Sequence, residues 1–566
     1  MIDFKKAIVE MISEKVEGVE PSDIESSIEV PPNYDLGDYA LPCFRFAKAM
    51  RKSPNIIAEE LAKELGESDY FGKVENVGGY INFFVNRELL AETVLKEVHD
   101  KKDSFGKSEM GSGKNIVIDY SSPNIAKSFH VGHLRSTVIG NSLYRIYKHL
   151  GYNAIGINHL GDWGTQFGKM ICAYKKWGDD EAIKKEPIKA LQALYVKFHD
   201  ECEKTPELED EGRAWFKKLE DGDEEAKRIW KWFVDMSLEE FERIYKLLDV
   251  KFDYYTGESF YEDKMEAAIE LMKEKGVAKE SEGALVVDLE EYNMPPCLIV
   301  KSDGTTIYAT RDITAALYRK ETFDFEKAIY ITDYAQNLHF QQWFKVIELM
   351  GYEWADKLIH TPFGRVSTEE GKLQTRKGNV ILLDELLSKS IEKVRELITE
   401  KNPELENQEE TARQIGIGAV IFNDLSNGKI KDVVFNWDRM LSFEGETGPY
   451  VQYTHVRAKS VLRKAGAEIS QDVDYSKIAD NDSADVIRML QSFPETVVAA
   501  MEKNEPSFIA RHIVDLAQSF NKFYHECPIL SADEETKAAR LLVVDSVASV
   551  LKTGLYLLGI EAPEKM

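Results

Sequence analysis

The sequence predicts an α/β protein in three parts: a small N-terminal α/β domain, a central parallel-sheet domain with a helical insertion, and a C-terminal all-α helical bundle. Three observations lead to this prediction. The 566 residues are too many for one compact core. An apolar strand run, an amphipathic helix and a second strand run follow one another after residue 114, which is the pattern of a parallel sheet. Residues 444–566 show only helical periodicity.

The N-terminal domain is predicted to span residues 1–106. Its clearest helix has Ser53 as N-cap, Pro54 at the first helical position and Gly66 past the end, and a strand-like "GGYINFFV" follows. The polar, glycine-containing "FGKSEMGSGKN" reads as the linker to the next domain.

The central domain is predicted to span residues 107–443. "NIVIDYS" and "NAIGINH" are strand runs, and the helix between them ends at Gly151. Further strand and helix pieces appear in "KAIYITDYAQNLHFQQWFKVIELMG" and "KLIHTPFGRV". The charged, tryptophan-rich segment at about 169–290 reads as a helical insertion into this sheet domain.

Composition excludes several classes of protein. The net charge of −27 argues against nonspecific coating of nucleic acid, and we expect no DNA partner. The most apolar late stretch is broken by Asp545 and Lys552, so we expect no membrane association and a cytoplasmic location. The 5 cysteines form no C-x-x-C pair, which disfavours structural zinc and a disulfide framework.

The stretch "SSPNIAKSFHVGHLRS" places Lys127, His130, Gly132 and His133 between a strand and a helix start. Helix N-termini at the carboxyl edge of a parallel sheet favour phosphate groups. Two imidazoles can donate hydrogen bonds to phosphate oxygens, the glycine leaves room for a nucleotide, and the lysine adds a positive charge. Two alternatives stay open: the histidines and the glycine cap and pack the helix, or the histidines bind a metal whose third ligand is not apparent.

A second basic segment, "GKLQTRKGN", contains Lys372, Arg376 and Lys377 between glycines. Such a loop can close over a triphosphate and supply cations when the nucleotide is bound. The alternative is an ordinary solvated surface loop.

These two segments carry a family resemblance. "HVGH" and "KLQTR" resemble the HIGH and KMSKS signatures of class I aminoacyl-tRNA synthetases, and "GDWGTQFG", "YATRDI" and "TRKGN" together with the first stretch resemble arginyl-tRNA synthetases along essentially the whole chain. The resemblance implies a Rossmann-type catalytic domain that binds ATP, as its Mg²⁺ complex, through His130, Gly132, His133 and Lys372. The catalytic residues that it implies are Lys127, His130, His133, Lys372, Arg376 and Lys377.

The KMSKS-like segment departs from the signature, because Thr375 stands in place of its second lysine. The resemblance implies that Lys127 compensates for this loss. Whether Lys377 shares the task stays open.

A pocket that selects arginine needs carboxylates and coplanar acceptors, because a guanidinium is a planar fork of donors with a permanent charge. Tyr308 and Asp312 lie four residues apart at a possible helix start. Read without the motifs, they could be a hairpin exit and a capping aspartate. The resemblance implies an arginine-binding set of Asp119, Ser122, Asn124, His159, Tyr308, Asp312 and Gln336.

The helical segment "YVQYTHVRAKSVLRK" interleaves aromatic and cationic residues, a mixture that suits unpaired RNA bases. The resemblance implies an anticodon-binding domain at residues 444–566 and a contact of residues 1–106 with the outer corner of the tRNA. The predicted tRNA-binding residues are Tyr450, His455, Arg457, Lys459 and Arg463. The alternative is a bundle core with a solvated basic face, and for Tyr453 we favour that alternative.

The function implied by the resemblance is that of an arginine–tRNA ligase. It would activate L-arginine with ATP to arginyl-adenylate and pyrophosphate, and then esterify the 3'-terminal adenosine of tRNA(Arg). The resemblance also implies that activation needs tRNA, that the enzyme is a monomer, and that it holds no zinc or prosthetic group. The rivals are a nucleotidyltransferase of the same superfamily, a synthetase for another amino acid, and a catalytically silent tRNA-binding paralogue.

Overall fold

The structure is a computed structural model that describes residues 2–31, 33–368, 371–372 and 382–566, with only the backbone for residues 368, 371 and 372. The chain divides into two compact units. Unit 1 contains Met1–Phe105, Thr454–Phe493 and Asp515–Thr553. Unit 2 contains Gly106–Tyr453, Pro494–Val514 and Gly554–Met566.

The N-terminal part of unit 1 is a small α/β structure. Its helices are α1 (Phe4–Ser13), α2 (Pro21–Glu25), α3 (Ala47–Met50), α4 (Pro54–Leu65) and α5 (Arg87–Lys101), and its strands are β1 (Tyr39–Pro42), β2 (Phe71–Val77) and β3 (Tyr80–Val85). The strands form an antiparallel sheet in the order β1-β3-β2. Helix α4 has Ser53 as N-cap, Pro54 at its first position and Gly66 at its end, as the sequence predicts.

Unit 2 contains most of the remaining elements. Its strands are β4 (Asn115–Asp119), β5 (Asn153–Asn158), β6 (Tyr254–Tyr255), β7 (Ala278–Ser281), β8 (Ala284–Val287), β9 (Cys297–Val300), β10 (Lys327–Asp333), β11 (Leu358–Phe363), β12 (Val366–Thr368), β13 (Gly371–Lys372) and β14 (Val433–Phe435). Its helices are α6 (Val131–His149), α7 (Thr165–Trp177), α8 (Asp180–Lys185), α9 (Pro187–Cys202), α10 (Glu207–Glu220), α11 (Glu224–Leu247), α12 (Met265–Glu274), α13 (Tyr308–Phe323), α14 (Asn337–Leu349), α15 (Leu383–Lys401), α16 (Gln408–Leu425) and α17 (Trp437–Met440).

The main sheet of unit 2 is parallel, with the strand order β11-β10-β4-β5-β6. Strand β4 is buried along its apolar run because helices cover both faces of such a sheet. Helix α6 ends before Gly151, whose φ of +82° is a left-handed conformation that glycine adopts without strain. The predicted α/β class with a parallel sheet is confirmed.

The strand order creates a switch point beside β4. The chain leaves β4 through α6 and returns as β5 on one side, whereas β10 lies on the other side of β4. Ligands of open parallel sheets bind outside the carboxyl ends of the strands at such a point. The ends of β4 at Asp119 and of β10 at Asp333 flank this crevice.

The inserted region is not purely helical, which corrects the expectation for residues 169–290. Between α11 and α12, Tyr254–Tyr255 joins the main sheet as β6. After α12, β7 and β8 form a separate antiparallel sheet with β9, which follows the insertion. A strand of two residues is too short to show a period-2 pattern, so it could not be predicted from the sequence.

The C-terminal segment is helical, as predicted. Its helices are α18 (Gly448–Ala465), α19 (Asn481–Glu502), α20 (Ser507–Glu526) and α21 (Glu534–Leu557), and each of them is divided between the two units. In the part of the chain that the structure describes, no helix is both long enough and apolar enough to cross a membrane.

Candidate active site at the carboxyl edge of the parallel sheet

The loop that follows β4 is held in an unusual conformation. Ser121 and Ser122 have φ of +70° and +48°, and Ala126 has φ of +61°. Each such residue costs about 1 kcal/mol, a strain that is typical of functional sites. Side chains of other elements fix the backbone: the Ser122 N–H donates to Asn158 Oδ1 at 3.2 Å, and the Ala126 N–H donates to Ser237 Oγ at 3.1 Å.

The two histidines of the HVGH stretch cap helix α6. The Gly132 N–H donates to His130 Nδ1 at 3.0 Å, and the His130 N–H donates to His133 Nδ1 at 3.2 Å. A ring nitrogen that accepts leaves the proton on the other nitrogen, so each imidazole keeps its Nε2–H as a donor. The histidines therefore do cap the helix, as the first alternative predicts. Capping uses only the Nδ1 atoms, so the Nε2–H groups can still bind a nucleotide.

Burial lowers the pKa of His130, and the positive charge of Lys127 lowers it further. Burial also lowers the pKa of His133 well below its usual value, with added contributions from His130 and Lys127. Both imidazoles are consequently neutral at neutral pH. The side chain of Lys127 is exposed beside them.

Gly132 is sterically required between these rings. A Cβ atom on Gly132 would lie 2.8 Å from His130 Cε1, well inside normal contact distance.

The side chains of three predicted catalytic residues are not described. Arg376 and Lys377 lie outside the described residues, and for Lys372 only the backbone of β13 is described.

The predicted ligand Asn124 lies against a turn that follows β5. The Ile125 N–H donates to the carbonyl of Gly161 at 3.1 Å, and a Cβ atom on Gly161 would lie 2.2 Å from Asn124 Oδ1. The absence of a side chain at Gly161 thus admits Asn124. Gln336 follows β10, occupies the N-cap position of α14 without a side-chain capping bond, and is exposed.

Asp119, the last residue of β4, already has two partners. Its Oδ1 accepts from Ser122 Oγ at 2.9 Å, and its Oδ2 pairs with a guanidinium nitrogen of Arg319 at 2.8 Å. Arg319 is only 1% exposed, and no sequence motif marked it. His159 follows β5, and its Nδ1 lies 3.0 Å from the carbonyl oxygen of Thr256.

Helix α13 begins at Tyr308, which is 68% exposed. Four residues later, Asp312 Oδ2 accepts a hydrogen bond from His339 Nε2 at 2.5 Å. The helix start predicted from "YATRDI" is therefore present. The imidazole holds one carboxylate oxygen of Asp312 and leaves the other for further contacts.

Glu258 is a candidate that sequence reasoning missed. Burial raises its pKa to about 7, and the carboxyls of Asp162 and Asp312 add to this rise against the opposing charge of Arg311. The Arg311 guanidinium lies 3.7 Å from the Glu258 carboxylate. The one available signal was its place directly after β6, at the same carboxyl edge of the sheet as the other candidates.

The predicted tRNA-binding residues of α18 differ in exposure. His455 is 1% exposed and its Nδ1 lies 3.1 Å from the Ala548 carbonyl oxygen, so its prediction as an RNA contact is wrong: it is a core residue. Arg457 donates to Asn521 and lies over the ring of Tyr524. Arg463 is exposed, and Tyr450 and Lys459 are partly buried. Tyr453, which we expected in the core, is 40% exposed.

Among the described residues, one cluster has metal-ligand chemistry: Asp480, Asp482 and Cys527, whose ligand atoms lie within 4.8 Å of one another. Its carboxylates are already used, because Asp480 accepts from the backbone of Ser483 and Asp482 pairs with Lys522. All five cysteines are free thiols.

Comparison with known proteins identifies the family. The model described as "tRNA synthetases class I (R), catalytic domain" matches residues 95–437. The "DALR anticodon binding domain" matches residues 451–566, and the "Arginyl tRNA synthetase N terminal domain" matches residues 3–85.

Relatives match over their entire length. The chain is 60% identical to the arginine–tRNA ligase of Alkaliphilus metalliredigens and 57% identical to that of Clostridioides difficile, over 100% of both chains in each case. The arginyl-tRNA synthetase structure from Thermus thermophilus superposes with a TM-score of 0.82 at 27% identity, covering 100% of this chain and 99% of the other. Since the catalytic, anticodon-binding and N-terminal matches all agree with these relatives, the chain belongs to the arginyl-tRNA synthetases of class I.

Proposed function

We propose that the carboxyl edge of the parallel sheet is where this chain activates L-arginine with ATP and then transfers the arginyl group to tRNA(Arg). The observation that carries the proposal is the grouping of Glu258 and Asp312, two carboxyls within electrostatic reach of each other, at the same edge as the imidazole pair of α6. Carboxyls fit a guanidinium, and neutral imidazole donors at a helix N-terminus fit a phosphate.

Arginine is bound by two sets of groups in this proposal. Asp312, held by His339, and Glu258 pair with the guanidinium. Asn124, Gln336 and Ser122 fix the polar groups of the amino-acid end, with Tyr308 and His159 completing the pocket. A substrate without the guanidinium would leave the buried Glu258 and the partly buried Asp312 without their charged partner, a cost of about 3 kcal/mol that gives selectivity without proofreading.

ATP is bound beside the N-terminus of α6, as its Mg²⁺ complex. The Nε2–H groups of His130 and His133 donate to phosphate oxygens, Gly132 leaves room for the nucleoside, and Lys127 supplies positive charge from the preceding loop. We assign Lys372, Arg376 and Lys377 to the leaving pyrophosphate on the strength of the motif alone.

The reaction then proceeds in two displacements. A carboxylate oxygen of arginine attacks the α-phosphorus of ATP in line, the bond to the β-phosphate oxygen breaks, and pyrophosphate leaves. A hydroxyl of the 3'-terminal ribose of tRNA next attacks the carbonyl carbon of arginyl-adenylate, and AMP leaves with the bonding electrons. Neither step needs a covalent link to the protein.

The first experiment is ATP–pyrophosphate exchange with each amino acid in turn, with and without total tRNA. We expect exchange with arginine only, and only when tRNA is added. Asp312→Asn should lower kcat/KM for arginine roughly 150-fold, which corresponds to about 3 kcal/mol, because the guanidinium loses its charged partner. Asp324→Asn is the matched control at the exposed end of the same helix and should change nothing. Exchange with a different amino acid would overturn the arginine pocket.

For tRNA, we propose that Arg463, Lys459, Arg457 and Tyr450 of α18 contact the anticodon arm, a role supported by the anticodon-binding match over this helix. Arg463→Gln should raise KM for tRNA(Arg) several-fold and reduce the slope of binding against salt by about one, while KM for arginine stays constant. Arg395→Gln, at an exposed position of α15, is the control. Equal effects in both variants would contradict this contact.

The remaining inferences follow from the reaction. Charging of tRNA serves translation, so we infer a cytoplasmic location. We also propose that the enzyme acts as a monomer, which sedimentation at several protein concentrations would test.

A further inference from the structure

The guanidinium of Arg319 lies where helix α13 meets the end of strand β4. Its side chain is 1% exposed, one nitrogen is 2.8 Å from Asp119 Oδ2, and another is 3.5 Å from His159 Nδ1. The charged carbon lies 5.5 Å from the ring centre of Tyr330 on β10. A single buried cation therefore touches two of the predicted arginine-binding residues without belonging to any recognised motif.

We propose that Arg319 is a positioning residue of the arginine pocket. It holds the Asp119 carboxylate, which in turn fixes Ser122. Asp119 therefore acts on the substrate through Ser122 and does not contact the substrate's cationic groups. The inference rests on the proposed function, because it assigns the internal support of the same pocket.

The geometry of Asp119 carries the first step. One carboxylate oxygen pairs with Arg319 and the other accepts from Ser122 Oγ at 2.9 Å, so each oxygen already has a partner within the protein. Asp119 is 9% exposed, and its negative charge is already balanced by an internal guanidinium. A second guanidinium arriving with the substrate would gain little from a charge that is neutralised in this way. Glu258 differs, because the nearest guanidinium nitrogen of Arg311 lies 3.7 Å away, beyond hydrogen-bonding distance.

Ser122 needs the support that Asp119 gives. Its φ of +48° is a left-handed conformation that a residue with a side chain adopts only when its surroundings hold it. The hydroxyl donates to Asp119, and the backbone N–H donates to Asn158 Oδ1 at 3.2 Å and to the Tyr120 carbonyl oxygen at 3.0 Å. Loss of the first bond would free the loop that carries Asn124.

Helix α13 carries the second step. Arg319 and Asp312 are seven residues apart, which is about two turns and places both on the same face of the helix. The ion pair between Arg319 and Asp119 therefore anchors α13, which presents Tyr308 and Asp312, to the end of β4, whose following loop presents Ser122. It fixes the spacing between the two halves of the arginine pocket.

Arg319 also keeps an unmet hydrogen-bonding group. Its Nε is buried with no hydrogen-bond partner among the residues that the structure describes. An unpaired buried donor is costly. The guanidinium therefore keeps its ion pair with Asp119 at the cost of an unsatisfied Nε–H.

The test uses the full-length enzyme with saturating tRNA and measures KM for arginine, KM for ATP, kcat and melting temperature. We expect Asp119→Asn and Ser122→Ala each to raise KM for arginine about tenfold, the loss of one hydrogen bond involving a charged group. The double variant should exceed the worse single variant by no more than about twofold, because both changes break the same connection.

Arg319→Lys keeps the charge but loses the fixed fork, and we expect it to raise KM for arginine about fivefold with KM for ATP within about twofold. Arg145→Lys is the matched control: Arg145 is a buried arginine of the same unit that pairs with Asp249, away from the pocket. It should lower the melting temperature without changing KM for arginine.

Two results would overturn the proposal. If Asp119→Asn and Ser122→Ala multiply to about a hundredfold in the double variant, Asp119 acts on the substrate independently of Ser122. If Arg319→Lys lowers only the melting temperature, as the control does, the ion pair is merely structural. The wild-type enzyme separates this outcome from failure of the proposed function: should it charge another amino acid, the same comparison with that amino acid still decides whether Asp119 acts through Ser122.

Discussion

The carboxyl group of Glu258 should make arginine binding depend on pH near neutrality. Burial raises its pKa to about 7, so the empty pocket holds this group partly protonated at neutral pH. The guanidinium of arginine is attracted by the ionised form and not by the neutral acid. Binding of arginine should therefore release a proton from Glu258, and affinity should fall as the pH drops through 7.

The magnitude follows from the ionised fraction. With a pKa of about 7, roughly 9% of Glu258 is ionised at pH 6 and roughly 91% at pH 8. When only the ionised state binds, the apparent dissociation constant is the intrinsic one divided by this fraction. KM for arginine in aminoacylation at saturating ATP and tRNA should therefore be about tenfold higher at pH 6 than at pH 8.

Glu258→Gln provides the decisive variant, because glutamine resembles the protonated acid in shape and cannot ionise. We expect KM for arginine at pH 8 to rise by well over tenfold, above the value of the wild-type enzyme at pH 6, and to show almost no dependence on pH. KM for ATP, measured in the same series, controls for general effects of pH on the protein. A wild-type profile that is flat for arginine, or a glutamine variant that keeps the full slope, would refute the assignment of Glu258 to the pocket.

Three further substitutions test the same site. Gly161→Ala should push the Asn124 side chain aside, since the new Cβ would lie 2.2 Å from its Oδ1. We expect KM for arginine to rise about tenfold. An unchanged KM would mean that Asn124 does not bind arginine. Gly132→Ala should displace the preceding imidazole, 2.8 Å from the new Cβ, and lower kcat/KM for ATP at least about tenfold, with KM for arginine as the internal comparison. His339→Leu should remove the bond that orients Asp312 and raise KM for arginine about fivefold, whereas His339→Gln should restore part of it; equal values for both would contradict the orienting role.

The main sheet could be predicted because its signals are local. The strand Asn115–Asp119 is a continuous apolar run, and α6 combines helical spacing with a glycine stop at Gly151. The two-residue strand Tyr254–Tyr255 escaped prediction because it exists only through its pairing with β5. Its stability comes from a contact distant in sequence, which no window of residues around it contains.

The site was predictable only where a motif marked it. His130, His133 and Asp312 stand in recognisable stretches, but Glu258 and Arg319 are single charged residues among many. What distinguishes those two is burial against partners far away in the chain. At His455 the error was the reverse, because a buried residue was predicted to contact RNA. A helix that mixes aromatic and basic residues does not show from its sequence which of them face the core and which face the solvent.

The state of the two histidines limits what α6 contributes to catalysis. Their Nδ1 atoms accept backbone hydrogen bonds, and burial lowers the pKa of both rings, so neither is a cation when ATP binds. They stabilise the developing phosphate charge as oriented donors that need no reorganisation. The positive charge itself must then come from lysine or arginine side chains, and Lys127 is close enough to depress the pKa of both rings. Loss of the Lys127 charge should consequently weaken pyrophosphate departure more than the binding of arginine, so Lys127→Met should lower kcat with little change in KM for arginine.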